Sequence, residues 1–213
     1  MANILMPKGH MVLDGRSASG VTGAVLGAAG QNPAVREREL TVGRGPIGDI
    51  AVGNAGALMT NPGDDTVSIL DPGTLSFATH LVAGEPVAAV ASDDRAFVAT
   101  TSEDDDRLSV IEISTGTVTA TFPLAGPATA LAVSPDGQRV YAMFATGDVA
   151  AVDFAGNKVW SRSLGIPKNH YGHASSLAIH DELVIVQFDQ GSPKDDRSKL
   201  LALDGASGKT IWQ

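Results

Sequence analysis

The chain has 213 residues, 43% hydrophobic and 18% charged, with 24 glycines and 11 prolines. That balance is too apolar for a disordered chain and suits a folded protein built of short strands and many turns. A formal charge of −9 counts against binding to nucleic acid or to an anionic membrane surface, and the lack of cysteine rules out disulfides, thiolate metal sites and a cysteine nucleophile.

Residues 1–11, MANILMPKGHM, lack the apolar run of a secretory signal, so no signal peptide is read here. A methionine following Gly9 and His10 marks the stretch as an expression leader. Residues 12–39 read as a flexible Gly/Ala-rich segment. Within it Ser17–Gly30 is too short and glycine-rich to span a bilayer, and no membrane insertion is expected. Arg36–Gly45 (RERELTVGRG) reads as a lone outer strand.

From Gly45 onward one pattern recurs about every 40 residues, the period range of stacked repeat architectures. Each copy begins with a short apolar strand: IGDIAVG, VAAVAS, ATALAVS, then ASSLAIH. A turn and a second strand follow (ALMTN, RAFVATT, RVYAMF, LVIVQF), and then a third strand closing on a polar or glycine turn (TVSILDPGT, RLSVIEISTGT, DVAAVDFAGN, KLLALDGASGK). The fourth strand has an edge-like character (SFATHLVAG, VTATFPLAG, VWSRSLG, TIWQ). The repeats therefore occupy residues 45–84, 85–126, 127–168 and 169–213 of a domain over 40–213.

A four-stranded antiparallel sheet cannot cover both of its apolar faces alone, so neighbouring copies must cover them around an axis. The fold expected is all-β: a β-propeller of four four-stranded antiparallel blades. It forms either a closed four-blade ring or a half-ring that dimerises to eight blades. The second arrangement makes a homodimer the expected partner state, because an open half-ring leaves the flanks of its end blades bare.

Two repeat styles are present. In the third copy VSPDGQRVYA (Val133–Ala142) resembles the YVTN-type bacterial propellers, and that resemblance extends over about residues 40–150. LLALDGASGKTIWQ resembles the tryptophan-docking repeat of pyrroloquinoline-quinone-type propellers, matching it at Ala202, Asp204, Gly208, Lys209 and Trp212, with Ser207 in place of threonine. AAVDFAGNKVW is a shortened copy that carries Ala151, Asp153, Gly156, Lys158 and Trp160. The resemblance implies that Trp212 and Trp160 pack against the next blade and tie the ring together. The two styles meet near residues 143–150, which reads as a recombined or engineered chain.

Chemistry is weakly signalled. No P-loop, nucleophile elbow, zinc-protease helix or dinucleotide glycine pattern occurs. His170 and His173 in NHYGH have a spacing that could supply two metal ligands, and they are weak binding candidates more readily explained as solvated loop histidines. The acidic turns at Gly63–Asp65 and Glu103–Arg107 lack the calcium-loop pattern. Quinone dehydrogenases of the resembling class use calcium, an aspartate and often paired cysteines, which this chain does not offer. The expectation is no enzyme activity, no cofactor and no metal. What remains is a non-catalytic scaffold or binding module whose main property is folding and self-assembly. The alternative is an envelope propeller holding a protein partner on its end-face loops, as the resembling periplasmic or extracellular families imply.

Overall fold

In the computed structural model the described residues are 42, 45–103, 105–168, 176–191 and 197–213, together with the backbone of three strands nearer the N-terminus. Those three, β1 (Ala2–Met6), β2 (Gly9–Asp14) and β3 (Gly23–Ala28), pair antiparallel in the order β1-β2-β3. Strand thus runs through parts of the stretches expected as leader and linker. His170 and His173, and most of Arg36–Gly45, lie outside the described residues.

Four sheets follow. Blade 1 is β4 (Ile50–Gly53), β5 (Gly56–Asn61), β6 (Thr66–Asp71) and β7 (Ser76–Leu81), and blade 2 is β8 (Glu85–Ser92), β9 (Arg95–Thr101), β10 (Arg107–Glu112) and β11 (Thr117–Pro123). Blade 3 is β12 (Ala128–Val133), β13 (Arg139–Phe144), β14 (Asp148–Asp153) and β15 (Lys158–Ser163), and blade 4 is β16 (Leu177–His180), β17 (Leu183–Phe188), β18 (Lys199–Asp204) and β19 (Thr210–Trp212). Every blade is a four-stranded meander whose strands hydrogen-bond in chain order. The expected strands and the observed ones agree to within a few residues.

The second strands of blades 1 to 3 are buried on both faces, which is why they read as apolar runs rather than as alternation, whereas β17 of blade 4 alternates. All six residues of β5 are buried, whereas β7 is exposed along nearly its whole length. In blades 2, 3 and 4 the pairing of the third strand with the outer one shifts at one place: at Val110/Ile111, Ala151/Val152 and Ala202/Leu203. A bulge there bends the outer strand and raises its local twist. The hairpin between the first two strands of blade 3 turns on Ser134, whose Oγ accepts from the backbone of Arg139 at 2.9 Å, with Gly137 at φ 63°. Asp93 and Asp181 adopt the same left-handed region in blades 2 and 4, a conformation that aspartate tolerates better than most side chains.

Three apolar clusters join the blades in series. Leu58, Val67 and Ile69 meet Val98 and Ile111 between blades 1 and 2; Phe97 and Leu108 meet Leu131 and Val140 between blades 2 and 3. Tyr141, Met143 and Trp160 meet Val184, Val186 and Leu203 between blades 3 and 4. The innermost strands run side by side in the same sequence, β4 by β8, β8 by β12 and β12 by β16. Among the described residues no cluster joins blade 4 back to blade 1. The outward face of blade 1 is instead packed by Val42, Ile47 and Ile50 over Ala57, Met59 and Leu70. Of the two arrangements expected, an open arc is the one these contacts fit.

Candidate functional site: the blade faces and the clefts between them

The junction between blades 3 and 4 is built by the tryptophan repeat. Asp204 ends β18 and its Oδ1 accepts from the Ser207 backbone N at 2.8 Å and from the Ser207 hydroxyl at 2.5 Å. The Ser207 hydroxyl, followed by the turn's backbone amides, holds the Asp204 carboxyl below the ordinary aspartate range. Asp153 of blade 3 is lowered likewise, first by the Asn157 side chain and then by its backbone.

This turn presents two carbonyls to blade 3. The Trp160 Nε1 donates to the Gly205 carbonyl at 2.9 Å and the Tyr141 hydroxyl donates to it at 3.3 Å; Arg162 donates to the Gly208 carbonyl at 3.1 Å. Tyr141 and Trp160 lie with ring centroids 6.0 Å apart, and the Trp160 ring rests on Gly208. Ala202 is fully buried beneath. Lys209 is exposed, and its backbone carbonyl closes the turn by accepting from Asp204 N at 2.8 Å.

The two tryptophans differ. Trp160 is 9% exposed, Trp212 is 42% exposed, and Leu200 and Ile211 beside it are 50% and 56% exposed. By register the difference is one of neighbour, not of motif. Trp160 pairs with Ala151, which pairs with Tyr141; Trp212 pairs with Ala202, which pairs with Ile185. The row Ile185–Ala202–Trp212 is thus the blade 4 counterpart of Tyr141–Ala151–Trp160, and among the described residues no further blade packs on it.

Other candidates dissolve. His180 is exposed, with Nε2 3.6 Å from the Asp181 carboxylate. In the acidic turn at Glu103–Arg107, Arg107 pairs with Asp105 and Thr101 donates to Asp106 at 2.5 Å. Gly63–Asp65 forms part of a single exposed 3-10 turn. Among the described residues no three acidic or histidine side chains converge as a metal site would need, and no helix is long and apolar enough to cross a membrane. Sequence reading missed the clefts where each outer strand leaves for the next blade. Two of these have volumes of about 440 Å³, between blades 2 and 3 and between blades 3 and 4.

The lowered Asp153 and Asp204 carry a pH prediction. A carboxyl depressed in the folded state contributes stability that is present above its unfolded value and lost as the pH falls through the folded one. Stability should accordingly decline below the ordinary aspartate range, by little because both turns are solvated. Asp153→Asn combined with Asp204→Asn should flatten that part of a pH series of urea midpoints. An unchanged slope would mean that the turns contribute nothing.

Residues 57–213 match the family model described as outer membrane protein assembly factor BamB, and the match runs without a break across residues 143–150, where a change of repeat style was expected. The seven-bladed beta-propeller protein Rv1057 of Mycobacterium tuberculosis is 38% identical over 109 residues, covering 48% of this chain and 28% of that protein. BamB from Moraxella catarrhalis superposes with a TM-score of 0.60 at 14% identity, over 99% of this chain and 74% of that one. The WD40 domain of Toxoplasma gondii coronin does so at 0.69 and 16%, over 96% and 56%, and AztD from Citrobacter koseri at 0.63 and 13%, over 99% and 57%. At such identities the solved structures show the fold alone. The chain spans 28% of the length of the curated relative and a little over half of the last two of these structures.

Proposed function

Because the chain belongs to the family of outer membrane protein assembly factor BamB, we propose that it acts as a non-catalytic propeller module that binds protein, with the outward face of blade 4 as its docking surface. One observation carries this reading. The face bearing Ile185, Ala202 and Trp212 has the same register as the blade 3 face that blade 4 covers, yet Leu200 and Trp212 stay exposed. An apolar patch with a central tryptophan is the composition of an interaction hot spot.

A second copy is the first partner to test. Blade 1 already has its outward face packed by Val42 and Ile47, so a two-fold contact between two blade 4 faces is favoured over end-to-end joining. Light scattering across a dilution series should give a mass approaching twice the 21.8 kDa of the chain as concentration rises. Leu200→Glu should return it to the single mass. A single mass at every concentration, with Trp212→Ala and Leu200→Glu leaving solubility unchanged, would sink the docking face.

A further inference from the structure

The clefts at the outer rim are equivalent by position but not by charge. Between blades 2 and 3 the cleft is lined by Phe144 and Asp148, at the facing ends of β13 and β14, with Lys158 and Arg162 nearby. Between blades 3 and 4 the same places are held by Phe188 and Lys199, which are cross-strand partners. Lys168, Arg197 and Arg162 line the same cleft, with Gln213 also on its wall, and among the described residues no Asp or Glu side chain does. In blade 2 the corresponding strand ends are Thr101 and Arg107. The repeat geometry therefore tolerates an acid beside cations as well as a cluster of cations, and does not itself demand four cations in one place.

Gathering four positive charges of a chain that carries 15 Lys and Arg against 24 Asp and Glu costs mutual repulsion. None of the four forms an ion pair with a carboxylate among the described residues. Their setting is organised by the backbone. Lys168 N donates to the Gln190 side-chain oxygen at 3.2 Å, while Gly191 N donates to the Lys168 carbonyl at 2.7 Å. These bonds pin the exit from blade 3 against blade 4. Arg162 spends one N–H on the Gly208 carbonyl and retains others, since a guanidinium has five. The Gln190 oxygen is used, which leaves its amide N–H groups as further donors.

We propose that this cleft binds a small organic polyanion, through carboxylate or phosphate oxygens held by Arg162, Lys168, Arg197 and Lys199. Its volume of about 440 Å³ lies within the range of small-molecule sites. Phe188 and Leu201 give it an apolar wall for the ligand's carbon body. The site lies at the rim and does not depend on the blade 4 face, so either can fail without the other.

Calorimetric titration of the intact chain at low ionic strength, with citrate, glycerol phosphate and a glutamate hexapeptide as probes, decides the matter. Citrate or glycerol phosphate should bind, and whichever binds tighter identifies the oxygen chemistry. The Arg197→Glu/Lys199→Glu pair should weaken that binding by at least about tenfold, as loss of about 1.4 kcal/mol or more would. Lys158→Glu, in the neighbouring cleft, should leave it within about twofold, the scatter expected of a distant site. Arg197→Gln/Lys199→Gln, checked for an unchanged melt, covers the case in which charge reversal unfolds the chain. No binding of either small anion, binding of the hexapeptide alone, or equal loss in Lys158→Glu would overturn the site.

Discussion

Trp160→Ala lowers the unfolding free energy by about 3–5 kcal/mol, the cost of removing a large buried aromatic and leaving a cavity, while Trp212→Ala costs no more than about 1 kcal/mol in the dilute chain. The contrast follows from the two faces. Trp160 is buried, stacks near Tyr141 and donates to Gly205. Its removal opens the blade 3–blade 4 junction on both its apolar and its polar side. Trp212 has its Ala202 neighbour beneath it and, among the described residues, no blade packed beyond. For a chain of this size each kcal/mol moves the melting temperature by about 2–4 °C, so Trp160→Ala should lower it by roughly 10 °C. Urea denaturation with an unchanged slope is the cleaner measure. Equal losses in the two variants would mean that the Trp212 face is covered in solution as well. The repeat pattern alone would have assigned the large effect to Trp212.

Gly208→Ala is the second large effect, expected at about 2–4 kcal/mol. Gly208 has φ 69°, and a Cβ there would lie 2.6 Å from Cε3 and 2.7 Å from Cδ2 of Trp160. Left-handed backbone costs a non-glycine residue about 1 kcal/mol or more, and forcing an extra carbon into a packed contact adds about 1–3 kcal/mol. Gly126→Ala is the control, since its Cβ would meet nothing within 4 Å, and it should be near neutral. Combining Gly208→Ala with Trp160→Ala separates the two contributions, because without the ring only the backbone strain remains. The double variant should then lose less than the sum of the singles. Strict additivity would show that the glycine does not matter to the ring.

The strands were legible because burial imposes its signature locally. In ALMTN and RVYAMF the middle strands are covered on both faces, so a continuous apolar run marks them without reference to any neighbour. The outer strands SFATHL and VTATFP face solvent and read as polar. Turn residues such as Asp136 and Gly137 restart each hairpin through backbone preferences that belong to the residues themselves. The docking turn was legible for the same reason: Asp204, Ser207 and Gly208 lie within five positions and bond to one another.

Residues far apart in the chain were less so. Arg162, Lys168, Arg197 and Lys199 gather in one cleft only because β15 leaves blade 3 beside the start of β18, and no spacing rule links them. Their charge is diluted in a sequence that is acidic as a whole. His170 and His173, which sequence singled out by their spacing, fall outside the described residues.

The sequence by itself determined four blades, their strand order and the turn that accepts a tryptophan, since each rests on the periodicity and backbone preferences of adjacent residues. The tertiary structure alone decided which tryptophan is docked, that the arc stays open between blade 4 and blade 1, and which cleft collects the cations. Those depend on what lies across a face. Two faces with the same register, Tyr141–Ala151–Trp160 and Ile185–Ala202–Trp212, differ only in whether another sheet removes them from water, and burial of apolar surface is a property of the pair rather than of either strand.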